Sequence, residues 1–120
     1  MDLEFKLKSL YVCVKDMKRA IEFYENLLRQ KVTEKNDIYN VFDINGFRYG
    51  LFANEKMNEA KKWGNNCLPS LEVSNMDLIL KKLEELHCKL VFPLTIIDEN
   101  QVLEFKDSEG NYIEITCPLY

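Results

Sequence analysis

The 120 residues carry 16 Lys and Arg against 20 Asp and Glu, a formal charge of −4, and 47% of them are hydrophobic. That balance suits one globular domain able to bury its own core, and it argues against a nucleic-acid partner, whose phosphates demand clustered cations. No stretch is apolar over enough residues to cross a bilayer, and residues 1–6 lack the apolar run of a signal peptide, so the expected location is cytoplasmic, with no membrane partner.

In chain order, Leu10, Val12 and Val14 alternate with Ser9, Tyr11 and Cys13, which predicts a strand. Asp16 suits a helix N-cap, and Ala20, Ile21, Tyr24, Leu27 and Leu28 follow at helical spacing as one buried stripe. Strands are expected over residues 31–34, 38–44 and 47–53. Asn45-Gly46 forms the turn between the last two, because both positions tolerate positive φ. Residues 54–66 read as a polar linker with a short helix around Met57, Ala60 and Trp63. A second series follows: a strand over 67–73, a helix over 75–87 capped by Asn75, and strands over 89–97, 101–106 and 112–117. Pro93 marks a sheet edge or bend, since it has no N–H for a ladder. The four cysteines, Cys13, Cys67, Cys88 and Cys117, form no CxxC pair, so zinc-knuckle and thioredoxin-like spacings are absent. Cys13 and Cys117 fall in apolar strand patterns and are expected as reduced core or wall residues.

The two series are copies. Val14 and Val73, Asp16 and Asn75, Met17 and Met76, and Leu27 and Leu86 coincide at an offset of 59 positions. A strand-helix-strands unit that cannot close a core alone can close one with its copy. The expected fold is α+β: one domain of two tandem βαβββ modules, residues 7–53 and 67–117, forming a curved mixed sheet around a central cleft. Leu10, Val12, Val14, Tyr49, Leu51, Leu71, Val73, Ile113 and Ile115 should lie beneath the helices. Ser9, Tyr11, Cys13, Arg48, Gly50, Phe52, Ser70, Glu72, Tyr112, Glu114 and Thr116 then share the opposite face, as solvent-exposed surface or as the wall of a pocket.

Two motifs carry a family resemblance. Val14-Lys15-Asp16-Met17 leads into Ala20-Ile21-Glu22-Phe23-Tyr24-Glu25-Asn26-Leu27-Leu28, and Phe105-Lys106-Asp107-Ser108-Glu109-Gly110-Asn111-Tyr112-Ile113-Glu114-Ile115 closes the second copy. In this order, on duplicated units, they resemble the vicinal oxygen chelate superfamily of glyoxalases, bleomycin-resistance proteins and extradiol dioxygenases. The resemblance implies four metal-ligand positions, two per copy, which here read Ser9, Gly50, Leu68 and Glu114. Only Glu114 is a competent donor, and about three His or carboxylate donors are needed to hold a catalytic divalent metal. The lone histidine, His87, ends the second helix, where a cation suits the helix dipole. The family's glycine after the first helix is replaced by Arg29, with Cys88 at the matching site of the second copy.

The function expected is therefore a bleomycin-resistance-like protein that binds a small organic molecule in the cleft between its modules, without metal or other cofactor. Its ligand-binding residues would be Tyr11, Arg48, Phe52, Glu72, Tyr112 and Glu114. The alternative is a glyoxalase-type lyase or isomerase using Glu114 as general base or metal ligand, with Glu72 as a possible carboxylate partner. Glu114 is the sole catalytic candidate, and no metal residue is assigned. The resemblance also implies a homodimer.

Overall fold

The computed structural model describes residues 9–53, 55 and 68–120. Strand β1 (Ser9–Cys13) leads to helix α1 (Met17–Leu28), then to β2 (Tyr39–Ile44) and β3 (Phe47–Phe52). The second half holds β4 (Ser70–Glu72), α2 (Met76–Glu85), β5 (Leu90–Ile97), β6 (Asn100–Lys106) and β7 (Tyr112–Pro118). The predicted linker, residues 54–66, lies almost wholly outside the described residues.

The strands form two sheets, ordered β1-β3-β2 and β4-β7-β6-β5. In each, the first strand of a copy runs parallel to its last, and the remaining pairs are antiparallel. The shared order confirms the duplication. The hairpin between β2 and β3 turns at Asn45 (φ 51) and Gly46 (φ 90), both left-handed as an Asn-Gly turn requires. No helix among the described residues is long and apolar enough to cross a membrane.

Both helices start where their caps predict. The Asp16 carboxylate accepts from the Arg19 N–H at 3.1 Å, and the Asn75 side chain accepts from the Leu78 N–H at 3.2 Å. Ala20, Ile21, Phe23, Tyr24 and Leu27 bury one face of α1. That face joins Val12, Val14, Phe42, Tyr49, Leu51, Leu103, Phe105, Ile113 and Ile115 in a single core spanning both modules, with Leu10, Leu71 and Val73 packed at its margin. The predicted strand faces are therefore in register, since a slip by one residue would have turned this aliphatic set to solvent.

Three local expectations are corrected. Residues 31–34 make no full strand; only a bridge between Glu34 and Val41 forms, because Lys31, Thr33 and Glu34 are exposed and Val32 alone packs against the core. Among the described residues, the strand expected over 67–73 is seen only at Ser70–Glu72. The left-handed residue after the second helix is His87 (φ 57), not Cys88, because α2 ends at Glu85, two residues earlier than the offset of the copies implied. Arg29 does take the left-handed conformation (φ 56) that the missing glycine would favour. Pro93 lies on the edge strand β5, where the ladder to β6 shifts register on both sides of Phe92.

The two motifs meet in a buried network. The Tyr24 hydroxyl donates to Asp107, and the Tyr49 hydroxyl donates to Tyr24 at 2.9 Å. Asp107 also accepts from the backbone N–H groups of Glu109 and Asn111, both at 2.8 Å. Asn111 donates from its side chain to the Cys13 carbonyl at 3.0 Å. Glu109 accepts from the N–H groups of Lys15 and Asp16 and from two nitrogens of Arg19. The 107–111 turn thus ties the second module to the beginning of α1. These residues hold the fold together.

Candidate functional site

The sheet faces turned away from the helices carry the predicted site residues, in two groups. In the first sheet, β1 and β3 pair Ser9 with Arg48, Tyr11 with Gly50, and Cys13 with Phe52. Across the hairpin, β2 pairs Tyr39 with Phe52 and Val41 with Gly50. Same-face neighbours follow from those pairings. Tyr11 and Phe52 meet edge to face at 5.3 Å between ring centres, Tyr11 and Tyr39 at 6.0 Å, and Tyr39 and Phe52 at 6.5 Å. Tyr11 is 44% exposed, so the trio is presented outward rather than sealed in the core. Arg48 pairs with Glu34, which its bridge to Val41 holds beside the sheet. Its partner is thus neither Glu72 nor Glu114.

In the second sheet, β4 and β7 pair Ser70 with Glu114 and Glu72 with Thr116. The Ser70 hydroxyl donates to Glu114 at 2.7 Å. Glu104 lies directly across from Glu114 on β6, and the Lys106 ammonium sits 5.3 Å from the centre of the Tyr112 ring. Glu72 is exposed and lines a groove at the start of α2 with Asp77, Gln101 and Cys117. Among the described residues, no hydrogen bond or ring contact joins the Tyr11 group to the Glu114 group. Tyr11 and Phe52 therefore come together, Arg48 lies on the same sheet, and Glu72, Tyr112 and Glu114 belong to the other.

A family model described as Glyoxalase/Bleomycin resistance protein/Dioxygenase superfamily matches residues 6–115. The chain belongs to that superfamily. Solved structures agree on the fold. A hypothetical protein from S. aureus is 18% identical, with 97% of this chain and 95% of that one covered at a TM-score of 0.78. A glyoxalase/bleomycin resistance protein/dioxygenase from Nocardioides is 15% identical over 99% and 87% of the two chains, at 0.75. The fosfomycin resistance protein FosX from Listeria monocytogenes, solved with Mn(II) and sulfate, is 12% identical over 98% and 92%, at 0.76. No curated protein matches in sequence.

Within the superfamily fold, the four positions at which the resemblance implies metal ligands do not fit a transition metal. Ser9 offers a neutral hydroxyl, Leu68 an exposed aliphatic chain, and Gly50 nothing. The space a ligand at residue 50 would need is taken. A Cβ built on Gly50 would lie 2.6 Å from Cζ and 2.8 Å from Cε2 of Tyr39, so the Tyr39 ring covers this glycine. Glu114 is the one carboxylate, and its partner is Ser70. Among the described residues, no three His, Cys, Asp or Glu side chains gather closely enough to hold an ion.

Tyr39 was missed from the sequence, although a signal for it exists. A two-residue turn at 45–46 fixes the hairpin register, which places Tyr39 opposite Phe52 and diagonal to Gly50. Gly50→Glu is therefore expected to cost about 1–2 kcal/mol by crowding the Tyr39 ring. Most of that loss should return in the double variant with Tyr39→Ala, as read by urea unfolding. A Gly50→Glu protein as stable as wild type would show that the ring does not hold this place.

Proposed function

We propose that this superfamily member binds a small, flat organic molecule on the sheet face bearing Tyr11, Tyr39 and Phe52, without using a metal. The observation that carries the reading is the aromatic trio itself. Three rings that meet edge to face, with Tyr11 44% exposed, offer stacking area that the core does not consume. Gly50 supports it, because the missing side chain leaves the space that the Tyr39 ring occupies over the strand. Arg48, shared with Glu34, supplies a cation on the same sheet that an anionic substituent could engage. The donor set at residues 9, 50, 68 and 114 supports binding over metal-assisted chemistry.

Calorimetric titration with 8-anilinonaphthalene-1-sulfonate, an anionic aromatic probe, tests this. Saturable binding near one site per chain is expected, weakened about 5- to 30-fold by Tyr11→Ala and by Phe52→Ala. Phe47→Ala should leave it unchanged, since Phe47 lies on the helix side of β3. Equal affinity in all three variants would place the binding elsewhere. Turnover of an α-oxo thiol adduct abolished by Glu114→Gln would replace this reading with the lyase.

A further inference from the structure

On α2, Leu78, Lys81, Lys82 and Glu85 recur at intervals of three and four, so they share one face of the helix. That face and the end of α1 line a groove of about 380 Å³, within the range of about 300–1,000 Å³ for small-molecule pockets. The groove lies on the helix side of the sheets and is separate from the aromatic trio. Leu27 and Ile79 bring it apolar surface continuous with the core, and Leu78, 62% exposed, extends that surface outward.

Its charges are unbalanced. Among the described residues, Arg29, Lys81 and Lys82 line the groove against one carboxylate, Glu85, in a chain whose formal charge is −4. Glu85 is already matched, because Lys82 lies 3.6 Å from it while donating to Asn26 of α1 at 3.2 Å. Arg29 and Lys81, by contrast, form no ion pair or side-chain hydrogen bond among the described residues. Arg29 also holds the left-handed conformation (φ 56) that glycine adopts with least strain. An arginine kept at a strained position, with its charge unmatched inside the chain, has a use outside the fold.

We infer that this groove binds a single-chain organic anion, with a carboxylate or similar head engaged by Arg29 and Lys81 and an unbranched apolar tail along Leu27, Leu78 and Ile79. Arg29 can hold a carboxylate through two parallel N–H···O bonds, and Lys81 adds a second positive charge. An uncharged chain would leave both cations unmatched, and a small inorganic anion would leave Leu78 in water. Charge complementarity and apolar surface together select the amphiphile.

Calorimetric titration of the full chain with sodium decanoate at neutral pH tests the proposal. One saturable site per chain is expected. Acetate and inorganic phosphate, which lack the tail, and decan-1-ol, which lacks the charge, should each bind at least about 10-fold more weakly. Arg29→Gly should weaken decanoate binding at least about 10-fold without lowering Tm, because glycine relieves the left-handed backbone. Lys81→Gln should weaken it about 3- to 10-fold. Lys89→Gln, just before β5, should leave it unchanged. No saturable decanoate binding would overturn the proposal. So would wild-type affinity in Arg29→Gly, or decan-1-ol bound as tightly as decanoate. Association with phosphatidylglycerol vesicles in the absence of a decanoate site would overturn it in favour of a membrane surface.

Discussion

Asp107→Ala is expected to lower the unfolding free energy by about 4 kcal/mol. The substitution removes the acceptor of the Tyr24 hydroxyl and of the Glu109 and Asn111 N–H groups, and leaves these donors buried. A buried donor without a partner costs about 1–3 kcal/mol, and partial relaxation keeps the sum below full additivity. Tyr24→Phe should cost less, about 1–2 kcal/mol, because it takes one donor from Asp107 and one acceptor from the Tyr49 hydroxyl but strands no backbone group. Urea denaturation should show a lower midpoint with an unchanged m-value. A loss under about 1 kcal/mol for Asp107→Ala would mean that water or other groups satisfy these donors.

Glu109→Ala is expected to cost about 2–3 kcal/mol, because it strands the Lys15 and Asp16 N–H groups at the entry to α1 and releases Arg19. Arg19 is half exposed and regains water, so its share of the loss is small. The pH dependence has a defined sign. Burial alone would raise the Glu109 carboxyl, but hydrogen bonds from Arg19, the Asp16 N–H, Ser108 and the Lys15 N–H outweigh it and hold the carboxyl below the usual glutamate value. The stability from Glu109 is therefore fully present above the ordinary value, about pH 4.3, and is lost as pH falls through the depressed one. Asp107 opposes it. Burial raises its carboxyl, offset only in part by Tyr24 and Asn111, so its contribution is present below the ordinary aspartate value and lost as pH rises through the raised one. Glu109→Gln should accordingly flatten the fall in stability below about pH 4, while Asp107→Asn should steepen it. Acid unfolding of the two variants beside wild type checks both signs, and parallel curves for all three would contradict the assignment.

The parts of the fold legible in the sequence were those encoded locally. Alternation in residues 9–14 set a strand face, Asp16 and Asn75 announced helix starts, and Asn45-Gly46 fixed a hairpin and with it the register of Tyr39 and Phe52. What escaped depends on distance along the chain. Glu109 looked like an ordinary turn acid, because its donors other than Ser108 lie 90 to 94 residues away. Arg48 could not be assigned its partner from the sequence, because the bridge that holds Glu34 beside the sheet lies 14 residues before it. The division of the six candidate residues between two sheets was equally invisible, because alternation tells which face a side chain takes but not how two sheets stand to one another.

Metal content decides the central claim most directly. Protein stripped with chelator, dialysed against Mn(II), Zn(II) or Ni(II) and washed should retain far less than one ion per chain. Its Tm should then move by less than about 1 °C, since only preferential binding to the folded state raises it. The anionic aromatic probe should raise Tm more than any of the three ions. One tightly held ion per chain, lost on Glu114→Gln, would contradict the metal-free reading.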